Sequence, residues 1–161
     1  MLQPRENDLQ VWFIPQLGGP VFTHLVTNPE EGAYVLDAIA QYDLYCDRHG
    51  LRPDFSNAGG INRYENVDGK LDWFTYYDDE TGEEIEDIYD IDLEDPSHRF
   101  VLTFDTQRRR VSRRGLSNAL EPLLFRFPTK ALANAAEVAL IQYQRFVFQT
   151  DSDSRVDEVD A

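Results

Sequence analysis

Residues 21–49, VFTHLVTNPEEGAYVLDAIAQYDLYCDRH, lead a strand into a helix, and their reading decides the fold. From Val21 to Val26, Val21, Thr23 and Leu25 alternate with Phe22, His24 and Val26, the two-residue period of a strand. Thr27-Asn28-Pro29-Glu30-Glu31 then starts a helix. Asn28 can accept from first-turn amides, Pro29 suits the first helical position, and the two glutamates favour the positive end of the dipole. The spacing carries this helix to about His49, with Val35, Leu36, Ile39, Tyr42 and Cys46 as its buried stripe. Gly50 supplies the stop and Pro53 forbids much continuation.

On the amino-terminal side, Leu9–Leu17 (LQVWFIPQL) reads as a strand that Pro15 interrupts, hence an edge strand or a bulge. Gly18-Gly19-Pro20 is a turn that folds it back on Val21–Val26 as a hairpin. On the carboxyl-terminal side, residues 53–60 (PDFSNAGG) read as a loop. Ile61–Tyr64 and Leu71–Tyr77 follow as strands joined through Asp68-Gly69, a strong hairpin signal. Arg99–Asp105 is a further strand, expected to pair with a segment around Arg109–Arg113. Leu123–Phe127 is a short strand ended by Pro128. Thr129 then caps a helix from about Lys130 to Phe148, with Leu132, Ala135, Ala136, Ala139, Tyr143 and Phe146 on one face. The fold class is α+β: an antiparallel sheet of hairpins with two main helices packed on it. The segments Ala38–Tyr42 (AIAQY) and Ala139–Tyr143 (ALIQY) echo each other, as a duplicated hairpin–helix unit would.

At 161 residues the chain has room for one domain with a real core. We expect that domain over residues 1–148, with the acidic segment 78–95 as a surface insertion or edge. Residues 149–161 (QTDSDSRVDEVDA) hold few apolar groups, which predicts a disordered acidic tail. The start, MLQPREND, lacks the charged-then-apolar layout of a signal peptide, and no apolar run is long enough to span a bilayer. One cysteine, Cys46, excludes an internal disulfide and any cysteine cluster for zinc.

Thirty acidic residues against fifteen basic ones give a formal net charge of −15. That balance argues against a direct nucleic-acid binder, because phosphates need a cationic footprint. The charge is concentrated. Residues 78–95 (DDETGEEIEDIYDIDLED) hold eleven carboxylates and no base, whereas residues 99–114 hold six arginines. Within the acidic tract, Tyr89, Ile91 and Leu93 alternate as in a strand with one wet face. A short helix over Glu83–Tyr89 with Ile85 and Ile88 inward fits equally.

Catalytic chemistry finds no support. Cys46 and His49 lie three apart on a helix, a spacing that seldom aligns thiol and imidazole for proton transfer. The histidines form no metal-binding spacing, and DDETGE lacks the ligand order of a calcium loop. No phosphate-cradling glycine motif occurs. The expectation is a protein that is not an enzyme, with no metal and no cofactor.

Two surfaces stand out instead. A row of acids can imitate a nucleic-acid backbone, steering onto a cationic groove, while nearby aromatics supply anchors. Its candidate contact residues are Asp78, Asp79, Glu80, Glu83, Glu84 and Asp87, with Trp73 and Tyr77. The plainer alternative is a solvated face partly paired with arginines of the same domain, worth roughly 0–1 kcal/mol per exposed pair. Arg108, Arg109, Arg110, Arg113 and Arg114 form the second surface. They suit a small anionic ligand, a phosphorylated or nucleotide signal, or the acidic tract of a second copy in a homodimer.

The amino-terminal half resembles a group of small acidic bacteriophage accessory proteins, some of them labelled superinfection exclusion. The resemblance rests on VWFIPQ (11–16), LDAIAQYDLY (36–45), PDFSNAGG (53–60) and DWFTYYDDETGEEI (72–85), and covers roughly residues 9–88. It brings no catalytic residues. It implies a phage protein acting in the cytoplasm of the infected cell on a bacterial host protein, and the charge points to a nucleic-acid-binding or defence component. A superinfection-exclusion factor is the alternative that it carries.

Overall fold

The computed structural model describes residues 3–16, 18–50, 57–105, 122–148 and 153–159. Among the described residues, seven strands form two antiparallel sheets, accompanied by two main helices and one short one, an α+β fold. Contacts divide the chain into two compact units, one of Met1–Asp37 with Ser56–Ile91 and the other of Ala38–Phe55 with Asp92–Ala161.

In the first unit, strands β1 (Leu9–Ile14), β2 (Phe22–Val26), β3 (Ala58–Val67) and β4 (Lys70–Thr75) lie in the order β2-β1-β3-β4. β1 and β2 form the expected hairpin. β1 is nevertheless a central strand, paired with β2 on one side and β3 on the other. It escapes the penalty of Pro15 by ending at Ile14, so the missing amide falls outside the strand. Leu9, Val11 and Phe13 alternate inward along β1 and are buried, joined by Phe22, Val26 and Ile61. β3 and β4 are joined through Asp68 and Gly69, both at positive φ, as a two-residue hairpin turn requires.

Ala58-Gly59-Gly60, expected in a loop, are strand residues paired with Ile14, Phe13 and Trp12. The side chains opposite explain the glycines. A Cβ on Gly59 would lie 2.6 Å from Phe13 Cδ2, and one on Gly60 would lie 2.8 Å from Trp12 Nε1. The glycines let large aromatic side chains cross the strand beside them.

Helix α1 (Pro29–Arg48) begins as its sequence predicts, with Asn28 Oδ1 accepting from the Glu31 amide at 2.8 Å. Its first turns lie on the inward face of the sheet, where Gly32 approaches Ile61 and Val26 too closely for a side chain to fit easily. Beyond α1, Gly50 takes φ +63, the conformation of a helix stop. The acidic tract settles on its helical alternative, α2 (Ile85–Ile88), with Ile85 buried.

In the second unit, β5 (Phe100–Asp105) lies between β6 (Leu123–Phe127) and β7 (Asp153–Glu158). β5 is paired on both sides, and the segment around Arg109–Arg113 that was expected to pair with it lies outside the described residues. β7 pairs residues of the stretch whose composition predicts disorder. Its register with β5 runs from Asp105↔Asp153 to Phe100↔Glu158, and Val156 sits opposite the buried Leu102. Backbone pairing compensates for the scarcity of apolar groups. Helix α3 (Lys130–Phe148) is capped by Thr129 Oγ1, 3.2 Å from the Leu132 amide. Leu132, Ala136, Ala139 and Tyr143 are buried as expected, together with Ala133, Leu140 and Gln144; Phe146 is instead 37 % exposed.

The two sheets repeat one connectivity. β1-β2-α1-β3 and β5-β6-α3-β7 are each a hairpin, a helix and a strand that returns to pair antiparallel with the first. The details recur too. Asn28 and Thr129 each cap two residues after the last residue of their strand, and AIAQY and ALIQY occupy matching helix positions. The return strands end their pairing alike, with Tyr64 N donating to Asp8 O and Val159 N to Arg99 O, each at 2.8 Å. The fold therefore contains a duplicated hairpin–helix unit extended by one strand.

Candidate functional site

The candidate contact residues fall on β4 and in the turn that follows, except Asp87, which lies on α2. Asp78 organises that turn. Its Oδ1 accepts from the amides of Glu80 and Thr81 at 2.9 and 2.8 Å, and its own amide donates to Glu83 O at 2.9 Å. Gly82, at φ +74, completes the reversal. The Thr81 and Glu80 amides hold the Asp78 carboxyl below the usual carboxylate range.

Asp79 is clamped from the sheet. Arg63 on β3 spreads its guanidinium over Asp79, with Nη1 3.1 Å from Oδ2 and Nη2 3.1 Å from Oδ1, while its Nε reaches Glu65 at 2.8 Å. The same guanidinium lies 5.3 Å from the ring centroid of Tyr76. The Asp79 hydrogen bond, foremost among several causes, raises the Arg63 pKa.

Glu80, Glu83 and Glu84 are exposed, and among the described residues their carboxylates have no ion-pair partner. Five of the six predicted acids are thereby gathered between Asp78 and Glu84; the side chain of Asp87 lies outside the described residues. Trp73 is half-buried against its cross-strand neighbour Tyr64, ring centroids 5.0 Å apart, and Tyr77 is 49 % exposed. Arg108, Arg109, Arg110, Arg113 and Arg114 all lie outside the described residues. Arg99, at the start of the same basic stretch, pairs with Glu158 at 2.6 Å.

Sequence reasoning missed a concavity beside this turn. A cavity of about 240 Å³ is bounded by Trp12, Gly59, Gly60 and Ile61 from the central strands. Thr75, Tyr76, Glu84 and Ile85 complete it. By strand alternation Trp12 occupies the face of β1 opposite to Val11 and Phe13. Gly60 lies across from it in register, so the indole sits over bare backbone. Tyr76 is 8 % exposed, and its amide is tied to Ile61 O at 2.9 Å. Burial raises its phenol pKa, and the charges of Asp78 and Asp79 raise it further. A signal was present: Trp12, Gly59, Gly60, Tyr76 and Glu84 all fall within the quoted sequence motifs.

Among the described residues, no group of three or more His, Cys, Asp or Glu side chains is arranged to hold a metal ion, and no helix is long and apolar enough to cross a membrane.

Residues 8–94 match the family described as superinfection exclusion gene product 17, over more than half of the chain, and the chain belongs to that family. It is also similar to a superinfection exclusion protein of Salmonella phage P22, at 37 % identity over 57 residues. That alignment takes in 35 % of this chain and 55 % of the phage protein, so the chain spans about half the length of that relative. No solved structure matches significantly. The family match covers β1–β4, α1 and α2 and ends before β5.

Proposed function

We propose that this phage protein acts in superinfection exclusion without catalysis, by binding a protein in the cytoplasm of the infected cell through the carboxylates of Asp78–Glu84. One observation carries this reading. Within the family-matched region, Glu80, Glu83 and Glu84 present negative charge that no described cation neutralises, on a turn fixed by Asp78 and Arg63. A rigid array of carboxylates substitutes for phosphates, so its partner is a nucleic-acid-handling component of the host, its defences or the incoming phage.

The test is a second-phage challenge of cells expressing the protein. The triple variant Glu80→Gln, Glu83→Gln, Glu84→Gln touches no hydrogen bond of the turn's carboxylates and should preserve circular dichroism and Tm. It is expected to restore plating of the challenging phage at least tenfold. Undiminished exclusion by the folded triple variant overturns the reading. A partner recovered with the wild-type protein should leave it in high salt or on addition of DNA.

A further inference from the structure

We propose that the cavity between Trp12, Tyr76 and Glu84 is a receptor for one arginine side chain of a protein partner. The proposal deepens the reading of the acidic turn as a protein contact surface and rests on it. Three features point to a guanidinium. The cavity walls include two aromatic side chains, whose ring faces attract cations. Glu84 lines the same cavity, and its carboxylate has no hydrogen-bond or ion-pair partner among the described residues. Tyr76 lines the cavity as well, and its hydroxyl, which has no hydrogen-bond partner among the described residues and is not sealed from solvent, is open to a ligand. Such a hydroxyl can accept from a guanidinium that enters the cavity.

Charge excludes the opposite kind of ligand. Asp78 and Asp79 both bear on Tyr76 against the one opposing charge of Arg63, so an anion entering here is disfavoured. The molecule also displays the favoured chemistry next door, where Arg63 stands over Tyr76 and grips Asp79. Lysine fits less well, because its compact ammonium offers neither the planar stack nor the fork that a carboxylate and hydroxyl can share. Gly60 lets the Trp12 indole lie directly against the strand, which fixes that wall of the cavity.

The experiment uses the full chain, ¹⁵N-labelled, titrated with the blocked peptide acetyl-Gly-Arg-Gly-amide and its citrulline and lysine counterparts. The expected result is a saturable shift of the Trp12 indole and Gly60 amide signals with the arginine peptide. Citrulline should produce none, and lysine should bind at least threefold more weakly. Glu84→Gln should weaken the arginine peptide at least fivefold, and Tyr76→Phe, which keeps the ring, at least twofold. Equal binding of citrulline, equal or tighter binding of lysine, no shift at Trp12 and Gly60, or an unaffected Glu84→Gln variant would overturn the proposal. The challenge assay on the triple variant separates the two claims: loss of exclusion there with no arginine-peptide binding removes the cavity and leaves the acidic turn as contact surface.

Discussion

Tyr143 donates its hydroxyl proton to Oδ1 of Asp43 across 2.9 Å, with the two residues only 0 % and 1 % exposed. The same neighbourhood holds the mirror relation, Gln144 Nε2 donating to Tyr42 Oη at 3.2 Å. Each helix thus contributes a tyrosine and the residue after it, and each tyrosine bonds the other helix's polar side chain. The two tyrosine rings meet edge to face at 6.0 Å, and Tyr42 also meets Phe104 that way at 5.3 Å. The repeated Gln-Tyr pairs at Gln41-Tyr42 and Gln142-Tyr143 place these groups at matching positions of the two copies.

Breaking one bond of this network should therefore cost more than a surface change. Tyr143→Phe is expected to lower stability by about 1–2 kcal/mol, because it removes a donor from a buried carboxylate. In a double-mutant cycle with Asp43→Asn, the two changes should deviate from additivity by at least about 0.5 kcal/mol. Urea unfolding of the four proteins measures this, and strict additivity would show that the contact contributes nothing specific.

The helix beginnings were legible because their chemistry is local: Asn28 and Thr129 lie three residues from the amides that they cap. Asp68-Gly69 announced its hairpin for the same reason, each residue adopting the positive φ that its type tolerates. Long-range pairing was not legible. Nothing near Leu9–Ile14 tells that β3 will cover its second edge, and β7 is held by a partner about fifty residues earlier, not by its own apolar content. The site divided along the same line. The acids of Asp78–Glu84 were visible as a run, while the clamp on Asp79 comes from Arg63, sixteen residues away. The cavity needed Trp12 beside Gly60, a juxtaposition set by strand register alone.

The two caps offer a test of the duplicated architecture. Asn28→Ala and Thr129→Ala each remove one side-chain acceptor from a first-turn amide, an expected loss of about 0.5–2 kcal/mol apiece. They share no partner, so the double variant should lose the sum within about 0.5 kcal/mol. Thermal or urea unfolding followed by helix circular dichroism reads all three values. A cap that costs nothing would mean that its helix gains no stability from the side chain.

Acid should loosen the turn that carries the candidate contact residues. Asp78 has a carboxyl held below its reference value of 3.8 by the Thr81 and Glu80 amides. A carboxylate depressed in the folded state stabilises above its unfolded pKa, and the contribution fades as pH falls through the lower, folded value. Wild-type stability should therefore drop progressively below about pH 4. Asp78→Asn should show a flatter profile, its disadvantage shrinking as pH falls. Parallel profiles for the two proteins in urea titrations at several pH values would contradict this assignment.

Glycine has different causes at Gly60 and Gly69, and alanine should tell them apart. At Gly60 the added methyl would lie 2.8 Å from Trp12 Nε1 and 3.0 Å from Cε2, so the rigid indole must move as a body. Overpacking of this kind costs about 1–3 kcal/mol. At Gly69 the space is open, but φ +84 is a conformation that alanine adopts reluctantly, a cost of about 1 kcal/mol. The chain has two tryptophans, so in a Trp73→Phe background Trp12 is the sole reporter. Gly60→Ala should change its emission maximum and quenching by acrylamide, whereas Gly69→Ala should lower stability and leave Trp12 emission unaltered. If both substitutions left the indole signal unmoved, the close approach of Trp12 to the Gly60 backbone, and with it that wall of the cavity, would be refuted.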